Sequence, residues 1–129
     1  MNTYEKEFAP YEPSLALKEL GFDEPCFAVY YDTKEFKTYT GVWVKFNSEF
    51  NGKGVMSAPL YQQAFKWFRE KYGLPSHIAT YWQHDWNNYS YQYYFVQDKV
   101  EWNGIEHYKT YEEAELACIK QLIEIVKNK

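Results

Sequence analysis

His77-Ile78-Ala79-Thr80-Tyr81-Trp82-Gln83, followed by His84-Asp85-Trp86-Asn87-Asn88 and then Tyr89-Ser90-Tyr91-Gln92-Tyr93-Tyr94-Phe95-Val96, reads as two β-rich runs joined by a polar connection. Aromatic and β-branched side chains fit a half-buried pleated surface, whereas Asn and Asp favour turns. The stretch therefore predicts an antiparallel hairpin. Val100-Glu101-Trp102 extends the pairing before Asn103-Gly104 turns the chain. Alternation sends Ile78, Thr80, Trp82, Tyr91, Tyr93 and Phe95 inward and leaves His77, Tyr81, Gln83, Gln92 and Tyr94 outward.

Beyond this hairpin, Thr110 and Glu113 form a capping box that opens a helix over 111–127, with acidic residues in its first turn and Lys127 near its end. On the other side, Tyr61, Ala64, Phe65, Phe68 and Tyr72 recur at helical spacing before Gly73 and Pro75. They predict a helix over 58–72, capped by Ser57 with Pro59 in its first turn. Trp67 lies off this stripe, so it packs on a widened face or anchors a partner.

Further upstream, Cys26 to Tyr31 and Phe36 to Phe46 predict a first hairpin around Asp32-Thr33-Lys34-Glu35. Its second strand places Phe36, Thr38, Thr40, Val42, Val44 and Phe46 in the core and Lys37, Tyr39, Gly41, Trp43 and Lys45 outside. Asn47 to Ser57, with Asn51-Gly52 and Gly54, reads as a mobile loop. Pro13, Leu15, Ala16, Leu17 and Leu20 predict a helix over 12–20 closed by Gly21. Residues 1–10 read as an extended lead-in. The order is α-β-β-α-β-β-α. It predicts a single α+β domain over 1–129, an antiparallel sheet of about four strands with three helices packed on it.

Composition narrows the function classes. Hydrophobic residues at 46% and charged residues at 25% are those of an ordinary globular chain. Fourteen basic against eighteen acidic side chains give a formal charge of −4, which removes the long-range attraction to phosphate that non-specific nucleic-acid binders use. No segment approaches a membrane span and no apolar run follows a basic start, so a cytoplasmic protein without membrane partners is expected. Spacing allows Cys26 and Cys118 either one long-range disulfide or two buried thiols, and the lack of an export signal favours the thiols.

No reactive constellation stands out. Asn51-Gly52-Lys53-Gly54 departs from the Walker spacing and reads as loop chemistry. His77, His84 and His107, with Asp85, Asp98 and Glu106, are the candidates for acid–base or metal chemistry, and none has a ligand spacing such as His-Glu-x-x-His. The sequence calls for no cofactor and no metal, and it nominates no catalytic residue. What is in surplus is aromatic: 22% of the chain, with 14 tyrosines. A tyrosine presents an apolar ring and a polar tip, which suits a surface that is contacted. Tyr39, Trp43, Tyr81, Trp86 and Tyr94 are the candidate binding residues.

Three stretches resemble a family of small proteins of bacteriophages and their bacterial hosts that has no assigned activity. They are Leu15 to Cys26, Ala58 to Lys71 and Tyr111 to Cys118, about a third of the chain. The resemblance implies phage ancestry and carries over no site residues. The expected function is a small, soluble, non-catalytic module that binds a protein through exposed aromatic residues or the rim around Trp82, His84 and Trp86, or that self-associates. The alternatives are stacking of single-stranded nucleic acid on the sheet face, helped by Lys37 and Lys45, and a small histidine- or metal-dependent enzyme.

Overall fold

A computed structural model describes residues 3–38, 47 and 54–128. The chain folds as two compact units, residues 1–64 and 65–129. Among the described residues there are three α-helices and two three-stranded antiparallel sheets, so the fold is α+β. The expected single sheet of about four strands is replaced by two sheets, in each of which a hairpin carries a third strand.

In the first unit, helix α1 (Tyr11–Glu19) precedes strands β1 (Ala28–Tyr31), β2 (Phe36–Thr38) and β3 (Val55–Ser57). Gly21 ends α1 at φ 95°, a left-handed conformation that needs no Cβ, and Phe22 N–H then closes onto Leu17 O at 2.9 Å. Strand β1 is central, with Val29 opposite Lys37 on β2 and Ser57 on β3. The predicted loop over 47–57 is thus partly structural. Val55–Ser57 is a strand, and the buried Asn47 side chain donates to Phe22 O and accepts from Ser57 N–H, both at 2.8 Å.

The lead-in is corrected as well. Residues Thr3–Glu7 form a short 3-10 helix, Phe8 bridges to Leu60, and Ala9 N–H donates to Pro59 O at 2.8 Å. Phe8 joins Ala28, Tyr30, Met56 and Ala58 in a core lined by Tyr11, Leu15, Phe36 and Leu60. The rings of Phe8 and Phe36 lie 5.2 Å apart, and those of Tyr30 and Phe36 lie 5.3 Å apart. The sequence of this segment is polar enough to disguise one buried aromatic residue as part of a tail. Residues 39–46 of the predicted second strand, and 48–53 of the predicted loop, lie outside the described residues.

Helix α2 (Tyr61–Tyr72) starts later than its spacing predicts. Ser57 is committed to β3 and does not cap it. Gln63 does so instead, its Oε1 accepting Leu60 N–H at 2.9 Å while its Nε2 donates to Pro25 O at 2.7 Å. Gly73 at φ 64° ends the helix, with Leu74 N–H returning to Phe68 O.

In the second unit, β4 (Ser76–Gln83), β5 (Asn88–Gln97) and β6 (Val100–Asn103) form a meander with β5 in the middle. Asp98 and Lys99 make the β5–β6 turn with φ 52° and 67°. Two left-handed residues match the twist of the paired strands, at roughly 1 kcal/mol each when neither is glycine. Helix α3 (Tyr111–Lys127) packs on β5 and β4. Its start carries the predicted box: Thr110 Oγ1 accepts Glu113 N–H at 3.1 Å and donates to Glu113 Oε1 at 2.9 Å. Ala114, Cys118, Ile119, Leu122 and Ile123 form its buried stripe.

Both cysteines are free and buried, the second of the two arrangements that their spacing allows. Burial pushes each thiol up to about 12, so neither is a thiolate nucleophile at neutral pH. Among the described residues no helix is long and apolar enough to cross a membrane.

Candidate functional site

Pairing of β4 with β5 sets Ile78 opposite Tyr93, Thr80 opposite Tyr91 and Trp82 opposite Tyr89, all on the face that meets α3. Coverage along this face is uneven. Tyr93 and Phe95 are 8% and 6% exposed, but Trp82 and Tyr89 are 47% and 51% exposed. Helix α3 begins at Tyr111, whose ring meets Tyr91 edge-on at 5.7 Å, and the hairpin continues past that point. The prediction that Trp82 and Thr80 lie in the core is therefore overturned: they occupy the predicted face, but the helix does not reach them.

The uncovered end is a small aromatic platform. Trp82 meets Tyr89 edge-on at 5.2 Å, and its indole N–H points at His84 Nδ1, 3.3 Å away. The connection between the strands is a 3-10 turn, His84–Trp86, closed by Asn87 at φ 48°. This turn projects Trp86, 38% exposed, beside Lys109, whose ammonium sits 5.6 Å from the ring centre. Trp86, Asn88, Tyr89 and Lys109 border a cavity of about 280 Å³.

The opposite face of the hairpin carries a polar aromatic row. Tyr81 and Tyr94, both candidates from the sequence, meet here through their hydroxyls. Tyr94 also donates to Gln92 Oε1 at 3.2 Å, and the buried Gln92 amide donates to Gly104 O. These contacts link Tyr81, Tyr94 and Gln92 to a backbone carbonyl. The bond to Tyr81 raises Tyr94 above the ordinary phenol range, with desolvation adding to it.

Histidines flank this row. His77 stacks on Tyr94 with centroids 5.0 Å apart and planes 5° from parallel, and His107 meets Tyr81 edge-on at 5.6 Å while bonding Ser90 Oγ at 3.2 Å. Gly104 N–H donates to Tyr93 O, and a Cβ at Gly104 would collide with the Tyr93 ring, so only glycine fits there.

None of the family models, characterised proteins or solved structures compared with the chain matches it.

The sequence candidates therefore separate. Tyr81 and Tyr94 are brought together, but His77 occupies one face of the Tyr94 ring. Trp86 is at the other site, partly exposed, with the Lys109 ammonium against its ring. Tyr39 and Trp43 lie outside the described residues. Trp67 is resolved as packing: it is buried, edge-on to Phe68 at 5.2 Å and Tyr72 at 5.3 Å.

The three histidines do not converge. Among the described residues no three His, Cys, Asp or Glu side chains form a group able to hold a metal ion. Sequence reasoning missed Tyr89, Asn88 and Lys109 as site residues. The available signal was the offset between a hairpin tip at residues 83–88 and a helix that begins only at Tyr111.

Proposed function

We propose that this protein is a non-catalytic interaction module that binds a protein partner through the tip of its β4–β5 hairpin. One observation carries the reading: Trp82, Trp86 and Tyr89 are each more than a third exposed at the hairpin tip, where Trp86 and Tyr89 border a cavity and Trp82 packs edge-on against Tyr89. Aromatic anchors of this kind dominate protein interfaces because each offers a large contact area with little side-chain entropy to lose. Phage ancestry, as the sequence resemblance implies, fits a small adaptor of this sort.

Selection of a random peptide library on immobilised protein, with the Trp86→Ala/Tyr89→Ala double variant as counter-target, tests this. The expected result is a peptide set that binds the native chain and loses affinity for the variant, whose circular dichroism is unchanged. Enrichment of nothing, or of peptides that bind both proteins equally, would overturn the reading.

A further inference from the structure

We infer that the cavity at the hairpin tip receives an acidic side chain adjacent to an aromatic one on the partner, a Glu-Phe or Asp-Trp type of pair. The inference rests on the hairpin tip being the binding end and adds the chemistry of what enters it.

The polar groups at this cavity are mainly donors. Asn88 Oδ1 already accepts Tyr89 N–H at 2.8 Å, which leaves its NH₂ group for a ligand. Among the described residues the Trp86 indole N–H has no protein acceptor, and Lys109 has no carboxylate within ion-pair distance. The ammonium rests against the Trp86 ring, an interaction that holds it in place without neutralising it. A cavity bordered by an ammonium and an amide NH₂ is complementary to a carboxylate, which accepts charge-assisted hydrogen bonds.

The rings supply the second half of the specificity. Trp86 and Tyr89 flank the donors, so an occupant that places a planar apolar group beside its carboxylate satisfies both. The volume, about 280 Å³, lies at the lower end of ligand pockets, which suits one or two side chains rather than a whole cofactor. A single lysine in a chain of net charge −4 also suits one carboxylate better than a run of phosphates.

Two-dimensional NMR of the full chain tests this with three acetylated, amidated tetrapeptides: Gly-Glu-Phe-Gly, Gly-Gln-Phe-Gly and Gly-Glu-Ala-Gly. The first is expected to shift the Trp86 indole and Asn88 side-chain resonances. Each of the other two should bind roughly tenfold more weakly, as loss of one good contact implies. Lys109→Met should reduce the Glu-Phe peptide to the Gln-Phe level, and Lys109→Arg should restore most of the difference. Lys109 is exposed, so both variants are expected to fold.

Equal binding of the glutamate and glutamine peptides, or indifference to Lys109→Met, overturns the carboxylate assignment while leaving the hairpin tip as the binding end. Failure of all three peptides to shift Trp86 overturns it too, and library selection then decides separately whether the tip binds peptides at all. Tighter binding of a short oligothymidine than of any peptide at low salt would replace this partner with a nucleic acid.

Discussion

The two ends of the β4–β5 hairpin are built from the same materials and come to opposite ends. At one end Tyr93 and Phe95 face α3 and are closed off from water; at the other Trp82 and Tyr89 sit on the same face and remain half exposed. Strand pairing, alternation and aromatic content do not distinguish them. The difference is the reach of α3, whose start is fixed at Tyr111 by the Thr110 cap. Aromatic residues beyond that point stabilise little and are available for contact, whereas those beneath the helix hold the unit together.

Substitution can break this contrast most sharply at the covered end. Phe95→Ala is expected to cost about 3–5 kcal/mol, the range for deleting a buried ring, as measured by urea unfolding. A loss below about 1 kcal/mol would show that α3 does not seal this end.

The buried thiol of α3 gives a pH test of the same seal. Cys118 is raised from 9.0 to about 12 by burial, so the folded chain keeps its proton over a range in which the unfolded chain loses it. The stability it contributes is fully present below about pH 9 and falls as pH rises toward about 12. Cys118→Ala should flatten the alkaline decline. An unchanged slope would refute the assignment of that decline to the thiol.

On the opposite face, Gln92→Leu leaves Gly104 O without its donor and Tyr94 without its acceptor, an expected loss of about 2 kcal/mol by thermal or urea unfolding. Thr110→Ala removes the cap that sets where coverage stops and should cost about 1 kcal/mol, with hydrogen exchange rising first in the opening turn of α3. The smallest change is expected at the open end, where Trp82→Ala and Tyr89→Ala should each alter stability by about 0.5 kcal/mol. If either matched Phe95→Ala, the two ends would be equivalent and the binding proposal would lose its basis.

Much of this organisation is legible in the sequence. All three helices stand close to where their apolar spacing puts them, because Gly21, Gly73 and the Thr110–Glu113 box are local signals with local causes. The second hairpin and its faces follow from alternation alone. Strand β3 is not legible, since Val55–Ser57 is short and exists only through pairing with β1. Phe8 and Asn47 are missed for a similar reason, each being fixed by partners remote in sequence.

The candidate site shows the same division. Alternation assigns Trp82 to a face but carries no information about how far a helix extends over that face. Nothing local announces that Lys109 comes to rest against Trp86, because the chain between them passes through two strands and a turn.

The glycine pinned beneath Tyr93 also bears on how the molecule ages. An Asn-Gly peptide deamidates when the glycine nitrogen attacks the asparagine side chain, and Asn103-Gly104 is such a pair. Here that nitrogen is engaged at 3.1 Å by Tyr93 O, and Gly104 is buried. Cyclisation therefore has to await local opening of this end of β6. The accumulation of deamidation at Asn103 in stored protein, followed by mass spectrometry of the peptide that contains it so that Asn51-Gly52 does not contribute, is a chemical clock for how often that end of the sheet comes undone.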